Sequence, residues 1–158
     1  MTFKKTADTL SNGANTLERE YYTSSTILNK EYNNIFNKQW ICVGRISELT
    51  NAGQFKVINV GLESIIILKG NDNAILAYYN VCRHRGTRIC KDLEGHFSKS
   101  IQCGYHGWTY GLNGNLIGAP HMDSVDNFDK TNYPLHNVAV KEWEGFIFIN
   151  LSEKPMDF

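Results

Sequence analysis

The 158-residue chain lacks both a net charge and a long apolar segment. Its 16 Lys and Arg side chains balance 16 Asp and Glu, which argues against nucleic acid or a membrane surface as a partner. Apolar runs such as residues 65–68 are far too short to span a bilayer. The first residues contain no apolar segment typical of a secretory signal, so we expect a cytoplasmic protein.

Cysteine is scarce as well, with four in the whole chain, as suits a reducing compartment. Two of them, Cys42 and Cys90, lie outside the motifs described below. They are predicted to be small buried hydrophobic residues rather than a disulfide. Hydrophobic residues make up 42% and aromatic residues 12%, which is enough for one core, and the length predicts one domain without repeats or long linkers.

Two short segments each supply one Cys and one His. Cys82 and His84 are separated by one residue, Cys103 and His106 by two, and eighteen residues lie between the segments. Each segment can place its thiolate on one iron and its imidazole on a second. Two Cys on one iron and two His on the other form the ligand set of a Rieske [2Fe–2S] centre.

A structural zinc site is the alternative, because Cys2His2 is also a zinc ligand set. Zinc sites usually pair like with like, Cys with Cys and then His with His. Both segments here are mixed, so the spacing favours the two-iron cluster.

The mixed ligand set has an electrostatic consequence. Two ferric ions, two sulfides and two thiolates sum to zero, whereas four thiolates would leave the oxidised cluster at minus two. Histidine ligation therefore raises the potential, to about −150 to +300 mV against roughly −400 mV for plant-type ferredoxins. The predicted centre suits one-electron transfer.

The residues around the motifs read NVCRHRGTRIC and QCGYHGWTYGLNGNLIGAP. Together with YYTSSTILNKEYNNIFNKQWICVGR near the start and EWEGFIFINL near the end, they closely resemble the Rieske oxygenases. These are the alpha subunits of ring-hydroxylating and N-demethylating non-haem iron oxygenases. The resemblance covers nearly the whole chain. It implies that Cys82 and Cys103 bind one iron and that His84 and His106 bind the outer one.

The expected fold is mostly β, a Rieske-type antiparallel β-sheet domain with a two-loop cluster-binding subdomain and an N-terminal helix. Residues 1–37 are predicted to form a mobile N-terminus, over residues 1–15, and a packing helix. Residues 38–158 are predicted to form the Rieske [2Fe–2S] domain. Apolar and β-branched runs predict the strands WICVGR, FKVINV, SIIILK and AILAYYN, a strand over residues 100–103, and a final pair around Glu144-Gly145.

Turns and the helix have local signals. Residues 71–73 and the Asn-Gly pair within residues 112–115 predict hairpin turns. Ser24 can cap a helix that runs to about Asn37. Its apolar stripe is interpreted as core packing and comprises Ile27, Leu28, Tyr32, Ile35 and Phe36.

Further residues beside the motifs are predicted to surround the cluster. Trp108 is expected to shield it. Gly86, Gly104 and Gly107 allow tight loops whose N–H groups point at sulfides. Arg83, Arg85 and Arg88 form either a solvated loop or a cationic rim that stabilises the reduced cluster and docks an acidic donor. The remaining histidines, which have no metal-ligand spacing, are interpreted as surface or hydrogen-bonded residues: His96, His121 and His136.

Rieske proteins of respiratory complexes brace their loops with a disulfide, whose Cys would fall at Thr87 and Tyr105 here. They also carry a Ser in place of Trp108, and its hydroxyl donates to the cluster. Donors to the sulfurs tune the potential. This chain lacks both devices, so it resembles the low-potential oxygenase type.

The resemblance also implies partners and a second metal. In the family, a mononuclear non-haem Fe(II), held by two His and a carboxylate, lies on a catalytic domain that follows the Rieske domain and is absent from this sequence. Electrons come from a ferredoxin or flavin reductase, ultimately NAD(P)H, and pass to the iron of a neighbouring subunit in a homo-oligomer, typically a trimer. The chain is thus expected to be a fragment, a truncated product or half of a split oxygenase.

Alone, the chain is expected to be without catalytic residues and not competent for oxygenation. Two alternatives remain. The first is a free-standing Rieske ferredoxin that acts only as an electron carrier. The second is a metal-stabilised interaction module. The substrate, and the choice between mono- and dioxygenation, are not encoded in these residues.

Overall fold

Short antiparallel strands carry most of the fold in this computed structural model, which describes residues 16–158. The predicted mobile residues 1–15 lie outside the described part. The strands are β1 (Ile41–Arg45), β2 (Gln54–Val60), β3 (Glu63–Lys69), β4 (Ile75–Tyr79), β5 (Glu94–His96), β6 (Ser100–Gln102), β7 (Thr109–Gly111), β8 (Leu116–Gly118), β9 (Ala139–Trp143) and β10 (Phe146–Asn150). The predicted mostly β fold is confirmed.

Three antiparallel sheets result, with strand orders β1-β10-β9, β4-β3-β2-β5 and β6-β7-β8. Strand β3 separates two hydrophobic cores. Ile66 and Leu68 face a core shared with the β6-β7-β8 sheet, whereas Ile65 and Ile67 face a core shared with β1 and β10. A strand buried on both faces reads as a continuous apolar run, which explains the sequence IIIL at this place.

The predicted turns are present. Asn73, before β4, has φ +66°, and Gly114, between β7 and β8, has φ +79°. Glu144 and Gly145, with φ +48° and +79°, join β9 to β10 as two consecutive residues with positive φ, the signature of a tight hairpin.

The helical segment precedes the sheets as α1 (Glu20–Thr23), α2 (Ser25–Glu31) and a π-helical turn, Tyr32–Phe36. As predicted, the Ser24 hydroxyl caps α2 by accepting the Ile27 N–H at 3.4 Å. Within residues 16–158, no helix has the length and apolar character needed to cross a membrane.

The prediction that the helical stripe packs into the core is wrong. The segment buries none of its residues, and Leu28, Ile35 and Phe36 remain 40–49% exposed. The reason is the position of the segment at the edge of the fold, where the Tyr32 ring covers the backbone at Gly61 in the β2–β3 turn.

The two additional cysteines behave differently from each other. Neither forms a disulfide, and Cys90 is buried as predicted, but Cys42 is exposed. Cys42 pairs with Phe148 on the outer side of β1, next to a register shift between Cys42 and Gly44.

Candidate metal centre

Two loops with the same backbone hydrogen-bond pattern carry the predicted ligands. The first Cys–His loop (residues 82–87) follows β4, and the second (residues 103–108) joins β6 to β7. In each, the Cys N–H donates to the carbonyl five residues on, and the N–H four residues on donates back to the Cys carbonyl. These distances are 2.8 and 3.0 Å in the first loop and 2.8 and 3.1 Å in the second.

Glycine is required at the same place in both loops. Gly86 and Gly107 have φ +68° and +71°, a conformation that glycine adopts without steric penalty. A Cβ on Gly86 or Gly104 would meet no atom within 4 Å, so open space lies beside both loops. Gly104, unlike the other two, has no positive φ. Neither the backbone conformation nor steric crowding therefore requires a glycine at position 104, contrary to its predicted role in a tight turn.

The four predicted ligands lie together at the tips of these loops. Cys82 and Cys103 are both 3% exposed and belong to the same hydrophobic core. The neighbouring Cys103 thiol acts to raise the pKa of the Cys82 thiol. The rings of His84 and His106 meet edge to face with their centroids 4.8 Å apart. The loops thus bring one sulfur pair and one imidazole pair to a single place.

Burial disfavours charge on Cys82 and His84. It raises the pKa of the Cys82 thiol, while hydrogen bonding with Tyr110 opposes the rise. Burial also lowers the pKa of His84, and the neighbouring His106 and Arg85 act in the same direction. The site therefore favours a neutral imidazole at His84, which is the form that binds metal, and a Cys82 thiol that needs a cation to become a thiolate.

The ring nitrogens report an unmet bonding requirement. The Nδ1 atoms of His84 and His106 are both buried and have no hydrogen-bond partner, although buried polar atoms are normally paired. Two sulfurs and two unpartnered imidazole nitrogens fit the donor set of a Rieske cluster. Among residues 16–158, no three His, Cys, Asp or Glu side chains gather closely enough around one point for a single metal ion.

Trp108 lies against this site. It is 2% exposed, and its indole stacks on the His84 imidazole with centroids 4.8 Å apart and planes 7° from parallel. The rings of Phe128 and Tyr133 also pack against the indole, each with its centroid 5.7 Å from the indole centroid. The indole is placed to exclude water from the His84 ring, as the predicted shielding role requires.

The predicted arginines divide into two groups. Arg85 and Arg88 are exposed. The Arg83 side chain instead contacts residues outside the loop. Its Nη1 lies 3.0 Å from His136 Nδ1, and its Nη2 donates to the Asn132 carbonyl at 3.5 Å. The free cationic charge beside the loop therefore comes from Arg85 and Arg88.

The three additional histidines are exposed, as predicted. His96 Nε2 lies 2.9 Å from the Ala52 carbonyl, and His136 contacts Arg83. Neither belongs to the Cys–His loops.

Tyr110 is a site residue that sequence reasoning missed. It is fully buried, and its hydroxyl oxygen lies 3.2 Å from Cys82 Sγ. The same oxygen accepts the backbone N–H of Arg83 at 3.1 Å. Its own O–H is then free to donate to the sulfur of a Cys82 thiolate. The available signal was position: Tyr110 lies on an inward-facing place of β7, four residues after His106.

Replacing Tyr110 with Phe should lower the reduction potential of the loaded chain. A hydrogen-bond donor to a thiolate stabilises the reduced cluster, which is the more negative state. Loss of this donor should therefore lower the reduction potential by roughly 30–60 mV. Protein-film voltammetry measures the shift. Tyr78→Phe is the matched control, because the Tyr78 hydroxyl is also buried but donates to the Leu112 carbonyl at 3.2 Å. Equal potentials in the two variants would contradict a role for Tyr110.

The fold and the paired loops define the class of this protein. The sequence profile of the Rieske [2Fe-2S] domain matches residues 39–129, more than half of the chain. The chain therefore belongs to the Rieske [2Fe–2S] domain family, whose cofactor is the two-iron cluster inferred from the motifs.

Known relatives narrow the class to oxygenase subunits. The carnitine monooxygenase oxygenase subunit of Escherichia coli K12 is 39% identical over 136 residues, 86% of this chain and 36% of that protein. The benzene 1,2-dioxygenase alpha subunit of Pseudomonas putida is 30% identical over 145 residues, 91% of this chain and 32% of that protein. The chain spans about a third of the length of these curated relatives.

Solved structures agree with the sequence relatives. The apo form of the quaternary ammonium Rieske monooxygenase CntA superposes with a TM-score of 0.85 at 39% identity, covering 90% of this chain and 41% of that one. A naphthalene 1,2-dioxygenase bound to indole gives 0.74 at 30% identity, covering 81% and 29%. The predicted relationship to Rieske oxygenase alpha subunits is confirmed.

Proposed function

We propose that this chain is the electron-transfer domain of a Rieske oxygenase alpha subunit. It would take single electrons from a ferredoxin or flavin reductase and deliver them to a mononuclear non-haem iron for O2 activation. The observation that carries the proposal is the pair of buried, unpartnered Nδ1 atoms of His84 and His106 beside two buried cysteines. The oxygenase identity of the relatives supports the same direction of electron flow.

The proposed ligands have separate roles. Cys82 and Cys103, both buried, would hold the inner iron within the core. His84 and His106, both partly exposed, would hold the outer iron towards solvent. When bound, the cluster supplies one-electron redox chemistry. The partly exposed imidazole edges then offer a short path for electrons to a partner at the surface.

Surface groups near the outer histidines support a protein partner. Arg85 and Arg88 are exposed and carry positive charge that would attract an acidic donor and hasten its association. Tyr105 is 60% exposed, and its ring lies 3.7 Å from that of His106, centroid to centroid. We propose that this surface receives the ferredoxin or reductase, and that the trimer known from the family brings the acceptor iron of a neighbouring subunit to the same histidines.

Methylated amines are the substrate class that the relatives favour. A carnitine monooxygenase at 39% identity and a glycine betaine monooxygenase at 36% identity are both more similar to this chain than the benzene dioxygenase at 30%. We propose that the complete oxygenase demethylates or hydroxylates a quaternary ammonium compound in the cytoplasm, using a catalytic iron domain.

Metal analysis of the anaerobically purified chain tests the cofactor assignment. We expect two iron and two acid-labile sulfides per chain, and a reduced EPR spectrum of the Rieske type, because the donor set is two Cys and two His. Cys103→Ser should abolish both, whereas Cys90→Ser should retain them, since burial raises the pKa of Cys90 to about 12 and leaves it an inert thiol. Stoichiometric zinc, with no iron–sulfur spectrum after reconstitution, would refute the proposal.

Single-turnover chemistry separates an oxygenase component from a simple carrier. The reduced chain should form no oxygenated product from carnitine, glycine betaine or aromatic acids when it meets O2 alone. If it is an oxygenase component, addition of a matching catalytic domain should consume its electrons and yield product. A free-standing ferredoxin would instead reduce added acceptors equally well and give no product with any catalytic domain.

A further inference from the structure

The side chain of Asn80 bridges both ends of the segment that carries the first Cys–His loop. It lies directly after β4 and is 4% exposed. Its Oδ1 accepts the backbone N–H groups of Ile89 at 3.1 Å and Cys90 at 2.8 Å. Its Nδ2 donates to the Cys90 carbonyl at 2.8 Å and to the Ser64 hydroxyl at 3.2 Å.

This carboxamide uses its complete hydrogen-bonding capacity. An Asn side chain offers two donors and an acceptor with two lone pairs, and all four are engaged here. Three of the four bonds go to residues 89–90, nine and ten positions further along the chain. A fully paired buried amide has one favoured orientation, because any rotation leaves buried polar atoms unpaired.

The backbone bonds of the loop itself do not reach this far. Within the first Cys–His loop they join Cys82 to Thr87 and Gly86 to Cys82, so they shape its tip. Residues 88–90 return from the tip to the core, and Asn80 joins this returning limb to the end of β4. Asn80 thereby closes the segment of residues 80–90 at its base.

We propose that Asn80 is a positioning residue for the cluster. By closing the base of the segment, its carboxamide holds Cys82 and His84 where they face Cys103 and His106. This inference rests on the proposed function, because it assigns Asn80 a role only if residues 82–84 bind the cluster. The Asn80 side chain itself bonds to the Ser64 hydroxyl and to the backbone of residues 89–90, and to none of the four proposed ligand side chains.

Asn150 provides a matched control within the same chain. It is also buried, at 1% exposure. Its Nδ2 donates to the Lys38 carbonyl at 3.0 Å, and its Oδ1 accepts the Ser152 N–H at 2.9 Å. It ends β10, in the β1-β10-β9 sheet, and bonds to neither Cys–His loop. Equivalent substitutions therefore remove bonds of a buried amide in both places, four at Asn80 and two at Asn150, at different distances from the site.

The test compares Asn80→Leu and Asn80→Asp with Asn150→Leu and Asn150→Asp in the cluster-loaded chain. Leu removes all the side-chain bonds. Asp keeps the size but sets a carboxylate oxygen against the Cys90 carbonyl in place of the donor at 2.8 Å. Three quantities are measured: the rate of iron release to a chelator, the EPR g values and line widths of the reduced cluster, and the thermal midpoint of unfolding.

We expect both Asn80 variants to release iron about tenfold faster than their Asn150 counterparts, the factor that one lost buried hydrogen bond corresponds to. They should also broaden or shift the EPR lines at a comparable loss of thermal stability. If Asn80→Leu does not fold, the isosteric Asp variants decide. Asn80 variants that match the Asn150 variants in iron release and EPR would overturn the inference. Absence of an iron–sulfur cluster in the unmodified chain would instead refute the proposed function.

Discussion

Replacing His84 with Cys should lower the reduction potential of the cluster-loaded chain by on the order of 125–350 mV, about half of the gap between Rieske and all-Cys clusters, because one of the two imidazoles is replaced. The added thiolate carries a negative charge that neutral imidazole does not. The oxidised cluster then begins at minus one instead of zero, and an electron is harder to add. Redox titration followed by EPR measures the change.

The control for this substitution is His96→Cys. His96 lies on β5, outside both Cys–His loops, so the same thiol placed there should leave the potential within experimental error. An assembled cluster with an unchanged potential in His84→Cys would show that His84 is not a ligand. Loss of the cluster in His84→Cys but not in His96→Cys would still place His84 at the site.

Replacing Trp108 with Ala should have the largest effect on folding. Its indole is buried in the core that also holds Cys82 and Cys103, and removal of a buried Trp costs about 3–5 kcal/mol of unfolding free energy. Urea denaturation of the metal-free chain measures this loss. Since the indole also covers the His84 ring, the loaded variant should lose its visible absorbance faster in air.

Trp143→Ala serves as the comparison, because Trp143 is 58% exposed on β9. We expect it to change the unfolding free energy by at most about 1 kcal/mol. Trp108→Phe should fall between the two, since a smaller ring retains part of the packing. Similar destabilisation by Trp108→Ala and Trp143→Ala would contradict a central place for Trp108.

Local chemistry explains which parts of the fold were predictable. The β-branched run of β3 and the Glu144-Gly145 pair gave correct strands and a correct hairpin, because strand propensity and positive φ are local properties. The donor types and spacing of the two Cys–His segments predicted a site that the fold assembles in one place. Those features need no knowledge of distant residues.

Other features depend on contacts that the sequence does not reveal. Tyr110 reaches Cys82 across 28 positions and the Asn80 amide meets residues 89–90, so their roles follow from how strands and loops pack. The helical stripe has the correct period for burial, yet most of its members face solvent. Periodicity identifies an apolar face but not what covers it. The exposure of Cys42 likewise depends on the side of β1 on which the residue lies.

The identification of Tyr110 also refines the expected potential. This chain has Trp108 where the respiratory Rieske proteins carry a Ser, and it lacks their bracing disulfide. Both differences predict a reduction potential near the lower end of the Rieske range. One donor to the Cys82 sulfur is nevertheless present at 3.2 Å. The potential should therefore lie above that of a Rieske domain that lacks all such donors.

The two Cys–His loops extend from different sheets, the first from β4 and the second from β6 and β7. A cluster held between them would bind the folded chain and not the unfolded one. It would therefore shift the folding equilibrium towards the folded state by mass action. In a cell short of iron, more copies would open and be degraded by proteases. The abundance of this protein should then follow the iron supply, even at constant transcription.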